Sequence, residues 1–301
     1  MEESPNVRVI ECGGQGPRLR DVKGTNVTNP IDGVWTGKLV DLIDFSHSVL
    51  PIGTKAIIYS VAGVVEDHER VAVCPNVQHL RGAILGNRNA SVPRFVCNDM
   101  ESSTTGASIF FPELYYYMCM TRSTGVGGRV WKDGTILSDS EIGHMCVDTS
   151  FNAPLCACGK KGCAEAFLGG NALTTLVLSR MHELGKSIPT GRHPCEWLDI
   201  CYNAHEKWAI ALYENVIIPA FGIFLANIQT LLHLPAIIWK GTLGLRAFKD
   251  VPQLEGLIRL EMKKRIINPA WVDDLNFHFL TCPKDHEAYI GAAKIALNLL
   301  G

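Results

Sequence analysis

Three cysteines fall within eight residues in Cys156-Ala-Cys158-Gly-Lys-Lys-Gly-Cys163. Thiolate with imidazole is the donor set that zinc prefers, and glycines between the cysteines free the backbone to turn the sulfurs onto one tetrahedral ion. His144, a short distance upstream, completes a Cys3His set, with Cys146 as the competing ligand. The first pair is spaced C-x-C, tighter than the common C-x2-C. A chance cluster of buried thiols is the alternative reading, because the 301-residue chain holds 11 cysteines. An ion with four protein ligands has no place for water, so it would brace the chain rather than catalyse.

Two further features could do chemistry. Ser123-Thr-Gly-Val-Gly-Gly128 follows an apolar run. Its glycines allow close backbone approach, and its N–H groups and hydroxyls can face oxyanions. It lacks the Walker pattern, and a purely structural glycine hairpin explains it equally well. Among the carboxylates, Asp99 closes a strand, which is where open α/β sheets place ligands, and it is a candidate general base. Glu141 and Glu165 flank the cysteine and histidine ligands. Each alone could be a helix cap or a solvated charge. A metal clip fixing both segments would gather two carboxylates and an imidazole, which suits a polyhydroxylated ligand.

The elements that must position these residues are legible in outline. Val7 to Glu11, Ala56 to Val65, Arg94 to Asp99 and Tyr115 to Thr121 read as strands. Asp133-Gly134 between β-formers predicts a tight hairpin. Asn171 to Leu184, Trp197 to Glu214, Ile217 to Leu232 and Gln253 to Ile266 have helical spacing, with extended runs at Ala236 to Trp239 and Phe277 to Thr281. Residues 17–48 show no clear period. Interleaved strands and helices predict an α/β protein with its sheets covered on both faces.

Composition bounds the function. With 47% apolar and 19% charged residues and a mean hydropathy of +0.11, the chain is globular rather than disordered or coiled-coil. A net charge of -2 gives no electrostatic reason to bind nucleic acid or an anionic membrane. Residues 215–239 carry no formal charge, but Pro219, Asn227, Gln229, His233 and Pro235 interrupt them, predicting a buried helix and strand rather than a span. Cys97, Cys119, Cys146 and Cys201 lie in apolar surroundings and read as reduced buried thiols. With an acidic start lacking an apolar leader, they predict a cytoplasmic location.

Taken in order, Asn98-Asp99, Ser123-Thr-Gly-Val-Gly-Gly128, Glu141-Ile-Gly-His144, Cys156-x-Cys158-Gly-x-x-Gly-Cys163-x-Glu165 and a late Gly-Ala-Ala near Gly291 resemble the ROK family of sugar kinases and repressors. The resemblance is specific from about Ala56 to Glu165 and looser at Ala226 to Gly244 and Asp285 to Ala296. It implies two actin/hexokinase-like (ribonuclease H-like) α/β domains around a cleft. Residues 1–105 with 285–301 would form the smaller domain, and 106–284 the larger one with the zinc site. ATP, Mg2+ and a homodimer are implied too.

By the same resemblance, Asp99 is the catalytic base, and Asn98, Asp99, Gly125, Glu141, His144 and Glu165 meet the sugar. Gly13, Gly14, Gln15, Thr124, Gly125 and Gly241 face the nucleotide. The implied reaction is ATP-dependent phosphorylation of a hexose or N-acylhexosamine. A sugar-binding or regulatory protein of the same fold, impaired in catalysis, is the alternative. A repressor would carry a helix-turn-helix ahead of this fold, whereas a strand is expected already at Val7. The first phosphate loop departs from the family's Asp-x-Gly-Gly-Thr, reading Glu11-Cys-Gly-Gly-Gln15. At the adenosine loop, Trp239-Lys-Gly241-Thr-Leu-Gly244 lacks adjacent glycines.

Overall fold

Alternation along three apolar strands builds the first sheet. Val7, Val9, Ala56, Ile58, Phe95 and Cys97 face one cluster, while Ile10, Cys12, Ile57, Tyr59, Val61 and Val96 face the other. A strand whose two faces are both buried must sit inside a layered α/β unit. The computed structural model describes residues 6–13, 16–74, 77–137, 140–282 and 286–301. The strands are β1 (Asn6–Gly13), β2 (Gly16–Lys23), β3 (Asn26–Val27), β4 (Ile31–Asp32), β5 (Thr54–Val61), β6 (Val64–Glu66), β7 (Arg70–Val73) and β8 (Arg94–Asn98). The sheet runs β3-β2-β1-β5-β8, with β4 on β2 and a separate β6-β7 ribbon. Strands β1, β5 and β8 are parallel, in a register that pairs Cys12 with Val61 and Val61 with Asn98. Their carboxyl ends therefore lie abreast, which puts Gly13 and Asn98 on one edge.

The strand-rich reading of the first 140 residues misses a helix, Asp99–Phe110. Its buried residues are Met100 and then Ser102, Ser103, Thr104, Thr105, Gly106 and Ala107 in an unbroken run, so no apolar period marks it. Small residues are required because helix His286–Leu300 crosses it closely. A Cβ on Gly106 would stand 1.9 Å from the Glu287 carbonyl oxygen, and one on Gly291 1.9 Å from that of Ser102. The stretch 17–48, unreadable by period, forms β2 to β4 and helix Leu39–His47. Arg8, 1% exposed, joins them. Its guanidinium makes two bonds to the Asp21 carboxylate, 2.8 and 2.9 Å long, and donates to the carbonyls of Ser46 in that helix and of Ser48 and Val49 beyond it.

The second sheet has β9 (Tyr116–Arg122), β10 (Val126–Lys132), β11 (Thr135–Ile136), β12 (Ala236–Lys240) and β13 (Asn276–Phe279) in the order β11-β10-β9-β12-β13. The Asp133-Gly134 turn forms as expected, at φ 48° and 91°. The helix expected over Trp197 to Glu214 is two, Pro194–Asn203 and Lys207–Leu212, separated at His205, which has φ 59°. Helix Lys207–Leu232 is long and apolar enough to cross a bilayer by composition. Phe221, Phe224, Leu225 and Ile228 along it are buried within the protein. Of the thiols read as buried, Cys97, Cys119 and Cys201 are so, but Cys146 is exposed because it lies on the loop beyond the Ile142–His144 turn.

The chain divides into two units, one of Met1–Tyr115, Arg129–Asp139 and Cys282–Gly301, the other of Tyr116–Gly128 and Ser140–Thr281. The boundary expected between residues 105 and 106 would cut helix Asp99–Phe110. That helix and the hairpin tip after Gly128 belong to the first unit.

Candidate functional site

In the second unit the metal ligands are gathered by backbone pairing rather than by a helix or strand. Cys146 and Cys163 form an isolated antiparallel bridge, Val147 N–H donates to Gly162 O at 2.8 Å, and Ala164 N–H to Met145 O at 2.8 Å. The intervening chain turns back on itself through Cys156 N–H to Lys160 O at 2.7 Å. One donor atom each from His144, Cys156, Cys158 and Cys163 then lies within 4.8 Å of all the others. Cys156 Sγ is 3.5 Å from His144 Nδ1, and Cys158 Sγ 3.7 Å from Cys163 Sγ. A tetrahedral zinc with bonds of about 2.3 Å to sulfur and 2.0 Å to nitrogen has edges of about 3.5 to 3.8 Å, so these residues fit the ion.

Cys146, the competing ligand, is outside the group, its Sγ lying 3.3 Å from Asp148 O. Burial raises the thiol pKa of Cys156, while Cys163 is pushed up to about 12 by burial and then by its cysteine neighbours. Cys158 is lowered, chiefly by the backbone N–H of Lys160. Crowded thiolates of this kind need a dication to ionise together.

Glu165 stands between this cluster and the glycine loop. It opens the short helix Glu165–Leu168, and its Oε2 accepts the Val126 N–H at 2.9 Å. Its Oε1 lies 3.9 Å from Cys156 Sγ. A Cβ on Gly125 would stand 2.3 Å from Oε2, so the carboxylate occupies the space a side chain would take. The loop is tied down in turn. Gly170 N–H donates to Ser123 O at 2.8 Å and Asn171 N–H to Thr124 O at 3.1 Å. Thr124 is exposed, and Glu141 is exposed at the N-cap of the turn Ile142–His144. Gly241, at φ 86°, heads helix Thr242–Asp250.

The first unit holds Gly13, Asn98 and Asp99. Asn98 caps helix Asp99–Phe110, its Oδ1 accepting from Met100 N (2.8 Å) and Glu101 N (3.2 Å) in a capping box with Glu101. Its Nδ2 donates to Gly63 O at 2.8 Å. Asn98 thus serves the backbone, and Asp99, half-buried at the first helical position, carries its carboxylate where the helix dipole favours negative charge. Gly13 O accepts the Trp35 indole N–H at 2.8 Å. Gly14 and Gln15 lie outside the described residues.

Glu11, in the place of the family's aspartate, accepts the hydroxyl of Tyr289. Burial, ahead of Glu11 itself, raises that phenol's pKa. The Tyr289 partner carried no signal in sequence, since it lies far along the chain in an apolar helix.

The sequence profile of the ROK family matches residues 38–298. The xylose repressor of Bacillus subtilis (strain 168) is 25% identical over 244 residues, covering 75% of this chain and 58% of the repressor. The N-acetylmannosamine kinase of Vibrio cholerae O1 (strain O395) is 42% identical over 59 residues, 18% of this chain and 20% of the kinase. The chain thus spans less than two thirds of either relative.

Among solved structures, a ROK family transcriptional regulator, a homologue of the Escherichia coli MLC protein, superposes with a TM-score of 0.79 at 16% identity, over 97% of this chain and 78% of that one. A ROK family glucokinase from Streptomyces griseus, in complex with glucose and AMPPNP, gives 0.73 at 19% identity over 97% and 99%. The two-unit α/β fold is therefore the actin-like fold expected, and the chain belongs to the ROK family.

Proposed function

We propose that the chain is an ATP-dependent kinase of a hexose or an N-acylhexosamine. The observation that carries this reading is Glu165, a carboxylate held by a glycine-loop N–H on one side and set beside the Cys3His cluster on the other. Binding the metal through His144 Nδ1 leaves Nε2 to meet a sugar hydroxyl, with Glu141 and Glu165 as acceptors. Asp99 takes the proton of the sugar hydroxyl as its oxygen bonds the γ-phosphorus and the bond to the β-phosphate breaks, giving sugar phosphate and ADP. Thr124, Gly125, Gly241 and the first glycine turn, Gly13 to Gln15, would hold ATP, which supplies the phosphoryl group with magnesium screening its charge. Zinc braces the sugar side and takes no part in transfer. A cytoplasmic homodimer belongs to the same reading.

A second reading is a sugar-responsive protein that does not transfer phosphate. Glu11 favours it, because one oxygen of its carboxylate already accepts a buried phenol. The repressor matches point the same way. A coupled ADP-release screen over hexoses and N-acylhexosamines, with calorimetry of each sugar, tests both readings. ADP release with one sugar supports the kinase, sugar binding without release supports the second reading, and no binding of any sugar of either class refutes both.

A further inference from the structure

Behind the Ser123–Gly128 loop lies a set of ionisable side chains that the proposed reaction leaves unused. Arg122 closes β9 and is 4% exposed. Its Nε donates to the carbonyl of Leu168 at 2.7 Å, at the end of the helix that begins with Glu165. Its guanidinium carbon lies 5.3 Å from the centre of the Phe221 ring. Of its charged neighbours, Asp199 favours the guanidinium's charge and Arg246 disfavours it. Asp199 accepts the Tyr213 hydroxyl at 2.6 Å, and Arg246 Nε stands 3.3 Å from its other oxygen. Tyr213 opens a π-helical turn, Tyr213–Ile217, a local irregularity that re-aims the residues it carries.

Burying a guanidinium is costly, and an apolar side chain would fill the same space without that cost. What the arginine adds is a fixed position for the Leu168 carbonyl. The segment 165–171 is then held at several points: Val126 N–H on the Glu165 carboxylate, Arg122 on Leu168 O, and the carbonyls of Ser123 and Thr124 on Gly170 and Asn171. Arg122, Ser123 and Thr124 are consecutive, so the end of one strand grips the whole helix that carries Glu165.

We propose that Arg122 is a positioning residue for Glu165, setting the orientation in which that carboxylate meets the substrate, with Asp199 balancing its charge. This rests on the reading of Glu165 as a sugar ligand.

The test uses Arg122→Met and Arg122→Lys in the full zinc-loaded chain. It reads amide hydrogen exchange at Val126, Gly170 and Asn171, together with calorimetry of glucose and N-acetylmannosamine. Loss of a bond from a charged donor should accelerate exchange at these amides and weaken sugar affinity about ten- to a hundredfold, with one zinc per chain retained. In a turnover assay KM for the sugar should rise while kcat holds. Lysine should restore part of both effects, because an ammonium reaches the carbonyl without the planar fork. Wild-type exchange and affinity in a folded Arg122→Met would overturn the proposal. If the methionine variant does not fold, a lysine variant equal to wild type in both readouts would overturn it as well. If the wild type binds neither sugar, the sugar reading fails for these ligands, and the exchange rates alone decide whether Arg122 positions Glu165.

Discussion

Gly125→Ala separates a binding role for Glu165 from a structural one. Gly125 is not among the glycines with positive φ, so its backbone accepts an alanine, but the new Cβ would meet Glu165 Oε2 at 2.3 Å. That is about 1 Å short of ordinary contact, and a carboxylate pushed away by as much leaves hydrogen-bond reach of Val126 N–H, now at 2.9 Å. Because the obstructing atom ends a flexible side chain, the fold should yield cheaply, losing about 1 kcal/mol. A ligand that relied on the pre-set carboxylate should lose a charge-assisted bond, about 1.5 to 3 kcal/mol, or roughly ten- to a hundredfold in affinity. Urea unfolding and sugar calorimetry on the same preparation give both quantities. Unchanged sugar affinity in the alanine variant would refute the reasoning, as would a stability loss as large as the affinity loss.

Elemental analysis should find one zinc per chain in the wild type and none in Cys158→Ser, with a several-degree fall in thermal midpoint in the variant, since the site does not exist in the unfolded chain; an unchanged zinc content would count against the ligand set. Asp99→Asn should cut turnover about 10²- to 10⁴-fold while sugar binding persists, and full turnover would remove Asp99 as the base. Gly291→Ala drives a Cβ to 1.9 Å from the Ser102 carbonyl oxygen, where backbone meets backbone, and should cost about 3 kcal/mol in urea unfolding; a loss under 1 kcal/mol would mean the helices part freely. Burial raises the Asp199 carboxyl above its ordinary value despite Tyr213 and Arg246. The native state therefore holds that proton to higher pH than the unfolded chain. The stability it contributes is full below the ordinary carboxylate range and lost as pH rises through the raised value, so the wild type's margin over Asp199→Asn should shrink across that window. A margin that grows instead would show the carboxylate to be the stabilising form.

The Cys3His cluster was legible because ligand chemistry is written in residue type and spacing. Cys156, Cys158, Cys163 and His144 need only short turns to converge, and the structure draws them together. The parallel strands were legible from unbroken apolar runs, and the hairpin from Asp133-Gly134. Helix Asp99–Phe110 was not, because tight crossing by Gly291 demands serine, threonine and glycine on the face where a reader looks for leucine. The capping role of Asn98 was not legible either, because its partners, Gly63 O and two helix amides, are known only once the chain has turned. The same holds for Glu11, whose partner Tyr289 comes near the end of the sequence. Spacing shows local chemistry, whereas the bonds that occupy a polar side chain are set by distant segments.

The crossing of the two glycine-bearing helices also bears on synthesis. Helix His286–Leu300 covers Val7, Val9, Val22, Ala56 and Ile58, yet it is made after almost all of the second unit. A chain emerging in order can therefore close the later unit first, while the first sheet waits with one apolar face open. Domains that fold during synthesis usually do so from the amino end, whereas here the amino-terminal sheet is covered only once the last helix is made. The waiting face is where a holding chaperone would bind the nascent chain, and a product stopped before residue 286 would keep that face and aggregate.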